Sequence, residues 1–367
     1  MSFSAEDSRH MARALKLAAR GRYSARPNPM VGCVLVRDGA VLAEGFHART
    51  GEAHAERLAL DAAGDARGAT AYVTLEPCAH HGRTGPCADA LIGAGVARVV
   101  AATTDPNPAV SGRGLARLAE AGIVTATGLL EAEARTLNRG FIKRMESGRP
   151  FVRVKIASSL DGGTAMSSGE SQWITGPEAR ADVQRLRAAS GAVLTGIGTV
   201  LADDPRLNVR DDTLPIPAQP LRAILDSDLR TPASVELLQS PGAVRIYHCG
   251  DNVRGDLEDA GATLVPVAEH DGRVDLGAVL EDLGRLEVND VLVEAGAELA
   301  GAFAMRHLVD EYVIYQAPLL LGSETRPMLL ASAWRRLGQG QALHVTDRRL
   351  VGPDLRITAR PRGNTED

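Results

Sequence analysis

A chain of 367 residues, 44% hydrophobic and 24% charged, is globular in composition and longer than one hydrophobic core usually supports, so two domains are expected. Its formal charge of −5 provides no global field for a polyanion, which argues against nucleic acid as main partner, while a local Arg or Lys cluster suffices for a small phosphorylated ligand. No apolar run approaches the ~18 residues of a membrane span, and the start, MSFSAEDSRHMARALKLAARG, has helical spacing in place of a signal-peptide block, so a cytoplasmic protein without a membrane partner is expected.

From Met30 to Arg98 short apolar runs alternate with helical periods. VGCVLV and Val41 to Phe46 read as strands, His54 to Ala63 as a helix, and AYVTLE as a strand before a loop. PCADALIGAG and GLARLAEAGI read as helices, VARVVAAT and VTAT as strands, and EAEARTLNRGFIKRMES as one helical stretch. This interleaving implies an α/β sandwich around one sheet. Ser147-Gly148-Arg149-Pro150 then interrupts the period with a glycine and a proline, which places a boundary there and gives domains 1–147 and 148–367. Strands are expected at FVRVKIAS, AVLTGI, RAILDS, AVRIYHC, VLVEAG and DEYVIYQAPLLL, a second α/β unit. DDTLPIPAQP reads as a surface loop, and the tail RPRGNTED should fray.

Of four cysteines, Cys33 inside MVGCVLV and Cys249 are expected in the core. The other two stand in a different context. His54-Ala55-Glu56, followed by Pro77-Cys78 and then Cys87, supplies one imidazole, two thiols and a carboxylate. Three N/S ligands leave a fourth zinc position for water, whose pKa the ion lowers to about 7, and Glu56 is placed to carry the proton to a leaving amine. Pro77 suits a first helical turn, and Gly51-Glu52 precedes an apolar period at Ala55, Leu58, Ala59 and Ala62, so the ligands fall where helices should start. The set matches the zinc-deaminase signature H-x-E…P-C-x-x-C, except that the second cysteine comes nine positions after the first. His80 and His81 lie between the cysteines and compete as ligands.

In the second half no strand is followed by G-x-G-x-x-G, so a dinucleotide-binding Rossmann domain is weakly supported. Thr195 to Thr199 and Val293 to Gly301 each follow a β-like run and open into a possible helix, which fits either a phosphate cradle or an ordinary tight turn.

The stretch Glu76-Pro-Cys-Ala-His-His-Gly-Arg-Thr-Gly-Pro-Cys87 resembles the E-P-C-x-H-x-G-R-T-P-P-C segment of the bifunctional riboflavin-biosynthesis deaminase-reductase family, with Gly85 replacing a proline. Asn28-Pro-Met-Val-Gly-Cys33 and Asp105-Pro-Asn-Pro-Ala-Val-Ser-Gly-Arg-Gly114 are similar to two further segments of its deaminase half. Val154 to Gly162, Gly169 to Thr175, Gly198 to Pro205 and Val293 to Gly296 resemble its reductase half in the same order, so the likeness covers nearly all of the chain. Gly163 departs from the pattern, where a longer, often basic residue is expected.

The resemblance implies a cytidine-deaminase-like α/β/α sandwich followed by a dihydrofolate-reductase-like α/β domain. It implies one zinc per chain on His54, Cys78 and Cys87, and NADPH on the second domain. The implied reactions are hydrolytic deamination of 2,5-diamino-6-(5-phosphoribosylamino)pyrimidin-4-one and then reduction of its ribosyl chain to ribityl. Carried over by position, Glu56 and Asp203 are catalytic. Asn28, His80, Asn107, Ser171, Arg187, Leu207, Arg210 and Glu294 meet this small phosphorylated pyrimidine. Ala157, Trp173, Thr199, Asp203 and Ser227 contact NADPH, with Gly296, Ala297, Glu298, Leu299, Ala300, Gly301 and Ala302 around its phosphates. The forks of Arg187 and Arg210 suit a ribose phosphate. On residue type alone the same arginines read as solvated, Trp173 as core and Asp203-Asp204-Pro205 as a turn. A homo-oligomer is expected. Two rival classes are a tRNA or nucleoside deaminase with an unrelated partner domain, and a non-catalytic zinc module; a structural site has no need of Glu56.

Overall fold

Strand β1 (Gly32–Arg37) is apolar along nearly its whole length, and the fold buries both of its faces. Cys33 and Leu35 pack with Ala55, Ala59, Ala88, Leu91 and Leu118, whereas Val34 and Val36 meet Met11, Ala14, Leu129 and Ala134. A strand buried on both sides requires helices on both sides, and this chain supplies them. The computed structural model describes residues 3–79, 85–108 and 110–362. They fall into two units, Met1–Gly148 and Arg149–Asp367.

The first unit runs α1 (Ala5–Ala18), β1, β2 (Ala40–Phe46), α2 (Ala55–Ala63), β3 (Thr70–Val73), α3 (Cys87–Gly93), β4 (Arg98–Ala101), α4 (Arg113–Glu120), β5 (Val124–Thr127), α5 (Glu131–Leu137) and α6 (Arg139–Ser147). Its sheet has the order β2-β1-β3-β4-β5, with β1 antiparallel to both neighbours and β3, β4 and β5 parallel. The first helix starts on a capping box between Ser4 and Asp7. Asp7 is buried and accepts from the Tyr72 hydroxyl (2.8 Å) and Arg98 (2.7 Å), which ties α1 to two strands.

Three local expectations change. The helical period from Glu131 to Ser147 breaks at Asn138, whose side-chain amide pairs with the N–H and the carbonyl of Met30, both at 2.8 Å. The strand expected through Glu76 ends at Val73, and no helix starts at Pro77; α3 begins at Cys87, after Pro86. The buried face of α2 is Ala55, Glu56, Ala59 and Leu60, while Leu58 is exposed. Turning Glu56 inward displaces the apolar stripe that spacing alone suggests.

The second unit runs β6 (Phe151–Ser159), β7 (Gly163–Met166), α7 (Pro177–Ala188), β8 (Ala192–Gly196), α8 (Ile197–Asp203), β9 (Leu221–Leu225), α9 (Glu236–Gln239), β10 (Val244–His248), α10 (Gly255–Asp259), β11 (Ala262–Pro266), β12 (Glu269–His270), β13 (Arg273–Val274), α11 (Leu276–Arg285), β14 (Asp290–Glu294), α12 (Ala297–Met305), β15 (Glu311–Ala317), β16 (Thr325–Pro327), β17 (Leu343–Val351) and β18 (Asp354–Pro361). A nine-stranded sheet has the order β11-β10-β9-β8-β14-β6-β15-β18-β17, parallel from β11 to β15 and antiparallel in the last two pairings. Val291 and Val293 join one core and Leu292 another, so β14 also lies between two layers.

Pro318 ends the ladder of the DEYVIYQAPLLL strand at Ala317, leaving Leu319 and Leu320 exposed. Arg360 and Pro361, expected in a frayed tail, pair with His344 and Leu343 instead. Residues 363–367 lie outside the described residues. The segment expected as a surface loop, 211–220, is irregular, with all but Pro220 at least partly exposed. At the departure Gly163, a Cβ would stand 3.0 Å from Thr325 Oγ1, so the β7–β16 pairing leaves little room for a longer side chain.

Candidate functional sites

In the first unit, α2 brings its N-terminus to the sheet because Gly45 of β2 has no side chain: a Cβ there would stand 2.2 Å from the Ala55 carbonyl oxygen. His54 is the N-cap of α2, in extended conformation and without a side-chain capping bond, so its ring is available for other contacts. Cys87 opens α3, and its N–H donates to Cys78 Sγ (3.3 Å), while Ala88 N–H donates to the Cys78 carbonyl (3.2 Å). These bonds bring the second cysteine back to the first despite the long spacing. His54 Nδ1 lies 3.2 Å from Cys87 Sγ and 3.6 Å from Cys78 Sγ, and the three ligand atoms are within 4.8 Å of one another. Tetrahedral zinc with bonds of about 2.0 to 2.3 Å separates such ligands by ~3.5–3.8 Å, so a small expansion admits the ion. His80, expected near substrate, and its neighbour His81 lie outside the described residues.

The electrostatics suit that role. Hydrogen bonding from Cys87 draws the Cys78 thiol below its usual range, with His54 adding to the effect against burial. Burial pushes the Glu56 carboxyl up to about 7, partly opposed by His54. A buried carboxyl with a raised pKa, two residues from the metal-ligating candidate His54, is of the kind that can exchange a proton.

Asn28 has a partner that spacing did not single out. His47 is 2% exposed, with Nδ1 at 3.2 Å from the Ala53 carbonyl and Nε2 at 3.1 Å from Asn28 Nδ2. A carbonyl only accepts, so Nδ1 carries the proton, Nε2 accepts from Asn28, and the Asn28 amide oxygen is left to face a donor. Burial lowers the pKa of His47, in keeping with a neutral ring. Asn107 sits in a turn in which its N–H donates to Asp105 Oδ1 (2.8 Å) and its carbonyl accepts from Val110 and Ser111.

In the second unit, β14 is inserted between β8 and β6 although it follows both in the chain. Such a switch of strand order opens a crevice at the carboxyl ends of the strands. Register sets Glu294 of β14 beside Lys155 of β6. The Glu294 carboxylate accepts from Arg187 Nε (2.6 Å) and Nη2 (3.0 Å), with Lys155 Nζ at 3.9 Å. Arg187 Nη1 donates to the Asn208 carbonyl (3.0 Å), and Arg210 donates to Asn208 Oδ1 (3.2 Å). Arg187 is thus buried and largely committed to Glu294, while Arg210 is exposed.

Lys155, the lysine of FVRVKIAS, is not singled out by the sequence, because its partner Glu294 is set by strand register. Burial lowers its pKa, with Glu294 and Asp203 opposing and Arg187 reinforcing the shift. Asp203 ends α8; burial raises its carboxyl, against the Ser171 hydrogen bond and the charges of Arg326 and Lys155. Lys155, Glu294, Arg187, Asn208 and Arg210 therefore form one chain of contacts, with Asp203 close enough to Lys155 for their charges to interact. Leu207 directly precedes Asn208, and its side chain is in the core.

The dinucleotide side fits as well. Gly296 caps α12 without a side-chain bond, and a Cβ at Gly296 or Gly198 would meet nothing within 4 Å. Packing among the described residues does not demand a glycine at either position. Leu299, Ala300, Gly301 and Ala302 continue α12, with Ala300 and Gly301 buried. Ala157 lies in β6, two residues after Lys155. Ser227 follows β9, its Oγ accepting from Val274 N–H (3.1 Å), and Thr199 lies in α8. Trp173 is 68% exposed with the Arg180 guanidinium 4.6 Å from its ring centre, so it is not a core residue.

Comparison with known proteins covers both units. Residues 4–103 match the model of the cytidine and deoxycytidylate deaminase zinc-binding region, and residues 150–344 that of the RibD C-terminal domain. The riboflavin biosynthesis protein RibD of Escherichia coli strain K12 is 50% identical over 361 residues, 95% of this chain and 98% of the relative. That of Haemophilus influenzae is 45% identical over 99% of this chain and all of its own length. The structure of RibD from Acinetobacter baumannii, 46% identical, superposes with a TM-score of 0.91 over 98% of this chain and 99% of the other. The diaminohydroxyphosphoribosylaminopyrimidine deaminase/5-amino-6-(5-phosphoribosylamino)uracil reductase of Thermotoga maritima is 32% identical, with a TM-score of 0.86 over 97% of this chain and 99% of the other. Matched from end to end by such relatives, the chain belongs to the RibD family and is a bifunctional deaminase-reductase of riboflavin biosynthesis that uses zinc and NADPH.

Proposed function

We propose that the first unit carries out the deamination and the second the reduction, with the residue roles that follow. The carrying observation is the convergence of His54, Cys78 and Cys87 to within 4.8 Å, with Glu56 buried beside them. Bound zinc supplies a water of lowered pKa, and bound NADPH supplies the hydride. Glu56 takes the proton at its carboxylate and returns it to the departing amine nitrogen, so that ammonia leaves and oxygen stays on the ring carbon. The Asn28 amide oxygen, oriented by His47, accepts from a ring donor, and Asn107 holds the ring from the other loop.

In the second unit, Arg210 binds the ribose phosphate, and Arg187 holds Glu294 in the crevice. Opening of the ribosyl ring exposes a C=N at C1′, the carbon that is reduced. Asp203, tied to Ser171 and Lys155, assists proton delivery to the substrate. Gly296 to Ala302 and Gly198 hold the dinucleotide phosphates, with Ala157, Trp173, Thr199 and Ser227 lining the rest of that path. The substrate is a small phosphorylated pyrimidine.

A cytoplasmic homo-oligomer completes the reading. No helix among the described residues is long and apolar enough to cross a membrane. The outermost strand β17 is exposed along most of its length, an edge of the kind that a second copy extends. The test of the two activities is incubation of the purified protein with the pyrimidine substrate, with and without NADPH, following ammonia and nicotinamide absorbance. NADPH loss that requires prior deamination supports both activities and their order; NADPH loss without ammonia release refutes the order.

A further inference from the structure

Four backbone amides converge on one buried carboxylate next to the metal cluster. Glu76 is 3% exposed; its Oε2 accepts from Asp105 N–H (3.1 Å) and Gly112 N–H (2.9 Å), and its Oε1 from Gly114 N–H (2.9 Å) and Leu115 N–H (3.2 Å). Its own N–H donates to the Thr103 carbonyl (3.0 Å). The lone pairs of the carboxylate are thereby filled by main chain, from both ends of the loop that carries Asn107. The same loop is held from a second direction: a Cβ on Gly114 would stand 1.9 Å from the Pro77 carbonyl oxygen, so α4 touches the backbone just before Cys78.

We propose that Glu76 is a positioning residue for deamination, fixing the loop of Asn107 relative to the ligand Cys78. Only Pro77 separates Glu76 from Cys78 in the chain, and the Glu76 side chain grips the loop at 105, 112, 114 and 115, so one residue spans the ligand and the substrate loop. A carboxylate is the side chain suited to this task, because it accepts at both oxygens. The amide of glutamine would turn two hydrogens toward N–H groups that need acceptors, and two of the four bonds would be lost. Released at that end, the loop samples more conformations, and substrate binding bears the cost while the metal cluster stays whole. This inference rests on the reading of Asn107 as a substrate contact.

The test compares Glu76→Gln, Glu76→Asp, Asn107→Ala and the double variant Glu76→Gln/Asn107→Ala in the zinc-loaded full chain. Glu76→Gln should keep one zinc per chain, speed amide exchange at Asp105, Gly112, Gly114 and Leu115, and raise KM for the pyrimidine by about tenfold with a smaller change in kcat. Glu76→Asp, one methylene short, should give an intermediate KM and serves if the glutamine variant does not fold. The double variant should be no worse than the poorer single one, since both changes act through Asn107. Loss of zinc in the Glu76 variants, faster exchange with a parental KM, or additive losses in the double variant would each overturn the proposal. If Asn107→Ala leaves KM unchanged while Glu76→Gln raises it, the reading of Asn107 fails, and Glu76 positions some other part of the loop.

Discussion

The first unit draws His54 and Glu56 from a single helix start, and Cys78 and Cys87 from positions nine apart in the chain, the second at the start of α3. The second unit builds its site differently: Lys155, Arg187, Asp203, Arg210 and Glu294 come from β6, α7, α8, an irregular segment and β14, and meet only because strand order and register place them together. One site is a motif and the other is a product of the fold. Damage to the motif should therefore abolish one function cleanly, whereas damage to the second site should mix binding with stability.

The largest expected effect breaks the motif itself. Cys87→Ser should lose zinc and ammonia release together, because a thiolate contributes charge as well as a bond, and metal analysis alongside the deaminase assay checks both. Full zinc occupancy in that variant would return the ligand role to His80 or His81. Glu56→Gln should keep zinc and fold while lowering ammonia release by about 10²–10⁴-fold, since an amide cannot take the proton. Residual activity above a tenth of the parent would show that another group shuttles it.

The same contrast explains what the sequence disclosed. His54, Glu56, Cys78 and Cys87 were legible because their chemistry is encoded at short spacing, and β1, α2, α12 and most parallel strands because apolar period and glycine punctuation mark them. Lys155 was not legible: its meaning comes from register with Glu294, which no local pattern contains. His47 and Glu76 escaped notice for a related reason, since each acts through backbone or amide groups brought to it by the fold. Asn138 breaks a good helical period for the sake of two bonds to Met30, a tertiary demand that outweighs propensity. The exposed, charged strand β17 lacks the alternation of a half-buried strand and was missed accordingly.

The product of the fold is tested through its central ion pair. Arg187→Met should leave Glu294 buried with only the more distant Lys155, and breaking such a pair costs about 3–5 kcal/mol, read as a lower melting transition of the second unit. The pH dependence follows in sign. Burial raises the Glu294 carboxyl, but Arg187 and Lys155 outweigh it and hold its pKa below the usual value. A depressed carboxyl stabilises fully above its unfolded pKa, about 4.3, and that stabilisation fades as pH falls through the folded value. Parent and variant should therefore converge in stability on acidification; a constant gap from neutral to acid pH would remove the ion pair from the account. A milder loss is expected at the open guanidinium: Arg210→Ala should raise KM for the phosphorylated intermediate by about 10–100-fold, as for one charge-assisted contact, with ammonia release near parental.

The smallest expected effect is none, and it bears most directly on the comparison. If the two units fold on separate cores, removing a zinc ligand should leave the second site as it was. Cys78→Ala, supplied with the already deaminated intermediate, should then consume NADPH at a near-parental rate. The ground for this is that the zinc ligands and Glu56 lie wholly in Met1–Gly148, while Lys155, Arg187, Asp203, Arg210, Glu294 and the open glycines lie wholly in Arg149–Asp367. Among the described residues each hydrophobic cluster draws its members from one unit. The measurement needs circular dichroism and a melting curve beside the kinetics, because a ligand-free cluster that unfolds the first unit would confound the result through aggregation. With fold and melting unchanged, loss of NADPH oxidation in Cys78→Ala would mean that the reductase site borrows groups from the first unit, and the residue roles assigned to each unit would have to be redrawn.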